Sequence, residues 1–234
     1  MLFERGSLAS PTEGEHIGII GGTFDPVHYA HLAIAEEVHY ALKLTRMLFV
    51  PAGQPPHKTE HRITPIHHRL AMLKLAIAPN QHFALSLVDI ERAGPSYTVD
   101  TLRLLRQQWG ECAEMYFVIG GDSLKDLPDW HDPFGILEQA TIVALVRPGY
   151  TDVTGSHEQL LARLPGLEQR LITLQGPHMD ISSTELRQRA AEGRPLRYQM
   201  PDAVEHYIRQ YNLYQYREEL AQQIQEDTHA TNAI

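Results

Sequence analysis

Residues 16–31 contain a short apolar run, two glycines and the start of a helical pattern. Residues 16–22 read His-Ile-Gly-Ile-Ile-Gly-Gly, which is typical of a buried strand that ends in a tight turn. Asp25-Pro26 is a turn or helix-start signal, and apolar residues then recur at helical spacing from Leu32 to Leu42. This order predicts a phosphate site, because the glycines let backbone approach a ligand and the first helical amides point toward an anion.

Two histidines follow the glycines. His28 and His31 are three residues apart, which predicts that both imidazoles lie on one face of the first helical turn. Two N–H donors there can contact a phosphate whose charge grows during a displacement. A zinc half-site and a pair of surface histidines are the alternatives. No cysteine or carboxylate lies at metal-ligand spacing, so no metal ligands are predicted.

Length and charge limit the class of protein. The 234 residues suffice for one substantial core, and their mixed composition predicts a globular α/β protein. The net charge of −9 argues against a nucleic-acid partner, so an anionic substrate must meet a local positive site. The single Cys112 excludes an internal disulfide and fits a reducing cytosol. With no apolar run of membrane length and no signal-peptide pattern, a cytoplasmic protein without a membrane partner is expected.

The remaining pattern predicts a Rossmann-like open parallel sheet with helices on both faces and a helical C-terminal region. Further strands are predicted at residues 46–50, 82–90, 115–119, 140–146 and 171–174. Residues 1–15 are predicted to be a flexible extension, residues 16–214 a single domain, and residues 215–234 a polar tail that is helical or frayed. The sequence does not predict an oligomeric state.

The segment after the second strand is the most basic part of this acidic chain. Residues 54–62 form a polar loop across two prolines, and a helix is predicted to open at Thr64-Pro65 with Arg69 on its exposed side. Lys58, Arg62 and Arg69 suggest a mobile arm that contacts phosphates. An ordinary solvated loop is the alternative.

Polar and aromatic residues follow the strand at 115–119. Ligands bind beyond the carboxyl ends of parallel strands, so Asp122 is placed to hold a ribose hydroxyl or a metal, with a plain helix N-cap as the alternative. Trp130 lies in a polar loop, where its indole can stack on a flat heterocycle or anchor the loop to the core.

A second anion site is predicted near residue 182. Ser182 and Glu185 have capping-box spacing, so a helix begins there. Ser183 and Arg187 are four residues apart on one face, so a hydroxyl and a guanidinium can address one polyphosphate.

These two stretches resemble known signatures. Residues 21–28 with His31 resemble the first signature of the nucleotidylyltransferase superfamily, with Ala30 where the family usually has glycine, and residues 181–187 resemble the second. The order of features from Gly18 to Tyr214 is similar to that of bacterial nicotinate-nucleotide adenylyltransferases. Supporting segments are residues 55–58, 95–98, 120–123, Trp130 and 147–150.

The resemblance implies transfer of AMP from ATP, with Mg²⁺, to nicotinate mononucleotide. It implies His28, His31 and Arg187 as catalytic residues. The implied mononucleotide site has Trp130 stacking on the pyridine ring, Asp122 holding the mononucleotide, and backbone amides of Thr98 and His131 on the nicotinate carboxylate. Gly22 and Tyr97 complete that site. The implied ATP site comprises Gly21, Gly22, Thr23, Phe24, His28, His31, Lys58, Gly120, Asp122, Arg147, Ile181, Ser182, Ser183 and Arg187.

Other functions are weighed against this one. A phosphopantetheine adenylyltransferase is shorter and usually has threonine in place of His28, and cytidylyltransferases carry a different second motif. A nucleotide sensor without turnover would not need His28, His31 and Arg187 together. A tRNA synthetase would need a basic RNA-binding domain, which this acidic chain does not have.

Overall fold

The computed structural model describes residues 11–55, 63–146 and 154–215. Within them, six strands form one parallel sheet in the order β3-β2-β1-β4-β5-β6. This order confirms the predicted Rossmann-like class. The sequence in which the strands are added changes direction between β1 and β4, although all strands are parallel. The strands are β1 (Glu15–Gly22), β2 (Arg46–Pro51), β3 (Phe83–Leu85), β4 (Ala113–Gly120), β5 (Thr141–Val146) and β6 (Leu171–Gln175).

Helices cover both faces of the sheet. Alternate residues of each central strand enter opposite cores, so that Ile19 of β1 packs on one face and Ile20 on the other. The first core takes apolar side chains of α3 to α7, and the second takes those of α1, α2, α8 and α9. The helices are α1 (Tyr29–Ala41), α2 (Ile66–Ile77), α3 (Val88–Glu91), α4 (Thr98–Trp109), α5 (Gly121–Asp126), α6 (Pro133–Gln139), α7 (Thr154–Arg163), α8 (Ser183–Ala191) and α9 (Asp202–Gln210).

The predicted strand at residues 82–90 is wrong beyond its first part. Pairing with β2 extends from Phe83 to Leu85, and Ser86 adds one backbone bond to Phe49. The Ser86 hydroxyl then accepts the Val88 amide at 3.3 Å, and the chain turns into α3. A serine that bonds its neighbouring backbone competes with the strand ladder, which explains the early end of β3.

The prediction that Arg69 is exposed on α2 is also wrong. Its side chain is 2% exposed and donates to three carbonyl oxygens, those of Thr23, Ala52 and Thr64, at 2.9–3.0 Å. Pro65 is the N-cap of α2, one residue later than the predicted Thr64. Arg69 therefore joins the turn after β1, the end of β2 and the start of α2, and it does not belong to a mobile arm. Lys58 and Arg62 lie outside the described residues.

Replacement of Arg69 by methionine tests this structural role. We expect Arg69→Met to lower the free energy of unfolding by about 2–4 kcal/mol, because buried carbonyl oxygens lose their donors. Arg103→Met is the matched control, since the Arg103–Asp132 pair is nearly half exposed and its loss should cost less than about 1 kcal/mol. Equal effects in urea titrations of the two variants would contradict the role assigned to Arg69.

Candidate active site

The two glycines of the first signature lie at the end of β1, not in a turn. Gly21 and Gly22 are the last two strand residues, and the turn runs from Thr23 to His28. A Cβ at Gly22 would stand 3.0–3.3 Å from the Phe24 ring, so a side chain there would press on the ring where it folds back. Phe24 has φ of +49°, a left-handed conformation that a bulky residue adopts only when its surroundings hold it there.

Asp25 holds this turn in place. Its carboxylate is buried and accepts the Tyr214 hydroxyl at 2.7 Å and the Thr64 amide at 3.1 Å. The Asp25 carbonyl also accepts the Arg187 guanidinium at 2.8 Å. Sequence reasoning took Asp25 only as a turn signal, because its three partners are between 39 and 189 positions away along the chain.

The two histidines differ in position. His28 is the N-cap of α1 and is buried, whereas His31 lies within the first turn and lines the cleft described below. Their ring centroids are 3.8 Å apart, and the His28 backbone amide donates to His31 Nδ1 at 3.3 Å. Because Nδ1 accepts, the proton of His31 is on Nε2. The structure therefore separates a cleft-lining His31 from a buried His28.

The start of α1 is not a free anion site at its first amides. The Tyr29 amide donates to the Gln199 carbonyl at 3.0 Å, and the His28 amide is taken by His31. The expectation that the first helical amides point at an anion is therefore wrong for the Tyr29 amide. The His31 imidazole lines the cleft at this helix end.

His28 is held in its neutral form. Burial lowers its pKa from 6.5 to about 4, because the charged imidazolium loses its hydration. Within the described residues its Nδ1 has no hydrogen-bond partner, so protonation there would add a buried donor without an acceptor. His28 therefore packs against His31 as a neutral ring at neutral pH.

The second signature packs directly on the first. Ser182 caps α8 by accepting the Glu185 amide at 3.2 Å, which confirms the predicted start of that helix. The Ser183 hydroxyl donates to the Pro26 carbonyl at 2.9 Å, and Arg187 donates to Asp25. The Ser183 hydroxyl and the Arg187 guanidinium therefore bond the first signature. Their spacing alone predicted that both would contact a polyphosphate.

A cleft of about 1110 Å³ lies across the carboxyl ends of β1, β2 and β4. This is the switch point of the sheet, where ligands bind in open α/β folds. Gly21, Gly22, Thr23, His31 and Gly120 line it, as do Tyr97, Thr98, Trp130 and His131. Phe24, His28, Asp122, Ile181, Ser182, Ser183 and Arg187 do not line it, and Lys58 and Arg147 lie outside the described residues.

Aromatic rings form one end of this cleft. His131 stacks on Tyr97 with ring centroids 4.3 Å apart, and Trp130 meets Phe117 edge to face at 6.3 Å. Trp130 thus packs against the core and also lines the cleft, which combines both readings of this residue. Thr98 is the first residue of α4, where a helix leaves its amides without intrahelical partners.

Asp122 is not the N-cap of the helix that follows β4. Gly120 occupies the cap without a side-chain bond, and Asp122 is an exposed residue in the first turn of α5. Ser123, Asp126 and Asp129 from the same segment do line the cleft. Sequence reasoning missed them, as it missed Asp89 and Thr101, because nothing local distinguishes them from surface or core polar residues.

Two kinds of feature are absent from the described residues. They contain no group of three or more His, Cys, Asp or Glu side chains arranged to hold a metal ion. In the same residues, no helix is long and apolar enough to cross a membrane.

Comparisons with known proteins agree with the geometry. A family model described as cytidylyltransferase-like matches residues 19–189. A probable nicotinate-nucleotide adenylyltransferase of Thermomicrobium roseum is 50% identical over 198 residues, which cover 85% of this chain and 91% of the relative. Another from Roseiflexus sp. (strain RS-1) is 52% identical over 199 residues, covering 85% and 97%.

The fold also matches solved structures. The Plasmodium falciparum nicotinic acid mononucleotide adenylyltransferase complexed with NaAD superimposes with a TM-score of 0.67 at 21% identity, over 86% of this chain and 97% of that one. The family model covers most of the chain and places it in the cytidylyltransferase-like class, and the fold is consistent with this. The chain belongs to the nicotinate-nucleotide adenylyltransferase family, which confirms the family predicted from its two signatures.

The neutral state of His28 predicts a pH dependence of stability. Its folded pKa is below its unfolded value, so the unfolded chain binds more protons between about pH 6.5 and 4, and stability falls as pH drops through that range. Between about pH 7.5 and pH 5 we expect His28 alone to account for a loss of about 2 kcal/mol.

The measurement is the difference in unfolding free energy between the two pH values, from urea titrations. His28→Gln should lose less stability on acidification than the parent protein by that amount. His206→Gln is the matched control, because His206 is an exposed histidine of α9 and its replacement should leave the difference unchanged. A His28 variant with the parent pH dependence would show that His28 titrates normally.

Proposed function

We propose that this chain transfers AMP from ATP to nicotinate mononucleotide, giving nicotinate adenine dinucleotide and pyrophosphate. The observation that carries the proposal is one cleft whose lining includes His31, from the first turn of α1, and the Tyr97, His131 and Trp130 rings. Such a cleft offers a donor for a phosphate and flat surfaces for a pyridine ring. The names of the relatives at 50–52% identity support the same reaction.

The nucleotide end of the cleft would bind ATP. His31, with its proton on Nε2, would donate to the α-phosphate, and Gly21 and Gly22 would let the nucleotide approach the backbone. His28 would act through His31 by packing against its ring and fixing its Nδ1. The remaining residues proposed for ATP are Thr23 and Gly120 in the cleft lining, Phe24, Asp122, Ile181, Ser182, Ser183 and Arg187 outside that lining, and Lys58 and Arg147 outside the described residues.

The reaction needs no general base. The phosphate of the mononucleotide is already anionic, so its oxygen attacks the α-phosphorus of ATP in line. As the new P–O bond forms, the bond to the β-phosphate oxygen breaks, and pyrophosphate leaves with its electron pair. The protein contributes alignment and donors for the charge that develops at the α-phosphate. No covalent enzyme intermediate is required.

The aromatic end would bind the mononucleotide. Trp130 would stack on the pyridine ring, and the amides of Thr98 and His131 would donate to the nicotinate carboxylate. The Tyr97–His131 stack fixes the two segments that carry these amides. Gly22 and Asp122 complete the proposed mononucleotide site.

Magnesium enters this proposal with its substrate. Mg²⁺ would arrive as the ATP complex and be coordinated by phosphate oxygens and water, the ligands it prefers. The proposal includes a cytoplasmic location and no nucleic-acid or membrane partner.

A pyrophosphate-release assay with ATP and a panel of mononucleotides tests the function. We expect kcat/KM for nicotinate mononucleotide to exceed that for nicotinamide mononucleotide by roughly tenfold or more, because the amide leaves one backbone donor unpaired. Equal efficiency for both would contradict the proposed carboxylate site. Failure of the protein to convert either mononucleotide would overturn the proposed function.

Trp130→Ala in the same assay checks which end of the cleft holds the pyridine. The variant should weaken both pyridine substrates alike and leave the KM for ATP nearly unchanged, since stacking does not depend on the ring substituent. A variant impaired mainly toward ATP would reverse the two ends of the site.

Removal of the His31 imidazole tests the catalytic donor. We expect His31→Ala to lower kcat by roughly 10²–10³ with little loss of stability, because one charge-stabilising donor is lost and alanine favours the helix. His39→Ala is the control, since His39 lies on the same helix two turns later and does not line the cleft. Unchanged turnover of the His31 variant would exclude it from catalysis.

A further inference from the structure

One wall of the cleft is hydrogen-bonded to two other segments of the chain. Ser96, Tyr97 and Thr98 form this wall at the start of α4. The Ser96 amide donates to the Gln54 carbonyl at 2.8 Å, and the Gln54 amide donates to the Ser96 hydroxyl at 3.2 Å. The loop after β2 therefore fixes the wall from one side.

A buried carboxylate fixes it from another side. Asp89, at 5% exposure, accepts the Thr101 hydroxyl at 2.6 Å and the Arg92 Nε at 3.3 Å. Thr101 is also buried and lies one helical turn after Tyr97 and Thr98, on the same face of α4. The Thr101–Asp89 bond thus joins α3 to the first turn of α4.

Arg92 extends this group of residues. Its Nη1 lies 3.6 Å from a carboxylate oxygen of Asp100, which belongs to the first turn of α4. A carboxylate as buried as Asp89 is costly unless donors and a positive charge accompany it, and Thr101 and Arg92 supply both. We call Asp89, Arg92 and Thr101 the α4 brace.

The segment that follows β2 lies close to Asp89. A Cβ at Gly53 would come within 2.5 Å of the Asp89 carbonyl oxygen, so the chain has room only for glycine there. The Asp89 backbone therefore lies close to the segment that follows β2, and its side chain is bonded to α4.

We propose that the α4 brace is a set of positioning residues that determines selectivity for the acid over the amide mononucleotide. The inference rests on the proposed function, in which the Thr98 and His131 amides converge on the nicotinate carboxylate. A carboxylate gains from both donors only if both are held at hydrogen-bonding distance. The amide substrate already leaves one donor unpaired, so loosening the wall costs it less.

Thr101→Val tests the brace because it removes the hydroxyl and keeps the branched shape. The quantity measured is the ratio of kcat/KM for nicotinate mononucleotide to kcat/KM for nicotinamide mononucleotide. That ratio does not depend on the fraction of enzyme that is folded, so a merely structural role would not change it. We expect the ratio to fall roughly five- to tenfold, with the KM for ATP within about twofold of the parent value.

Two variants serve as controls. Thr101→Ser keeps the hydroxyl and should restore the parent ratio to within about twofold. Ser86→Ala removes another buried hydroxyl next to α3 that bonds Val88 and not α4, so it should lower the melting temperature without changing the ratio.

The results of these variants distinguish failure of this inference from failure of the proposed function on which it rests. Thr101→Val with reduced stability and an unchanged ratio would overturn the inference and leave the function standing. An equal fall of the ratio in Ser86→Ala would also overturn it, because general loosening would then suffice. A parent protein that converts neither mononucleotide would overturn the proposed function, and this inference with it.

Discussion

The turn that carries the first signature depends on a single buried carboxylate. Asp25 is 4% exposed and gathers donors from three distant parts of the chain, through Thr64, Arg187 and Tyr214. Burial, together with the neighbouring Asp25 charge, raises the pKa of the Tyr214 hydroxyl, so Tyr214 remains a donor. A buried carboxylate without such partners would be unstable. The turn after β1 therefore depends on the start of α2, on α8 and on the turn that contains Tyr214, and each of these depends on it.

The same turn joins the two signatures, whose bonded residues are 157 and 162 positions apart along the chain. Ser183 and Arg187 of α8 donate to the carbonyls of Pro26 and Asp25, which orients the turn next to the cleft. Arg69 holds the same turn from α2 through the Thr23 carbonyl. Three side chains from two helices therefore hold this turn in place beside the cleft.

Local sequence patterns sufficed to predict most of the sheet and the candidate site residues that follow β1. The apolar runs at β1, β4 and β5 are long and buried on both faces, so their composition alone identifies them. One error arose where distant contacts decide the outcome, and another where a side chain bonds its own neighbouring backbone. Arg69 carries a charge that normally marks a surface, yet three carbonyl oxygens brought together by the fold accept it. The strand at residues 82–90 ended early because the Ser86 hydroxyl bonds backbone, which hydrophobic periodicity cannot register.

The charge of the cleft shows how an acidic chain can handle anionic substrates. Four carboxylates of the described residues line it: Asp129 and Asp132 each pair with an arginine at 2.6 Å, Asp89 is shared between Thr101 and Arg92, and Asp126 is the fourth. At the β1 end the structure places His31 with its Nδ1 accepting and His28 neutral, so no fixed positive charge comes from this pair. A neutral donor gains most when negative charge grows on its acceptor, whereas a fixed cation would bind the triphosphate tightly before the reaction begins. Under the proposed function, a neutral donor in this pair would therefore lower the barrier more than it would strengthen ATP binding.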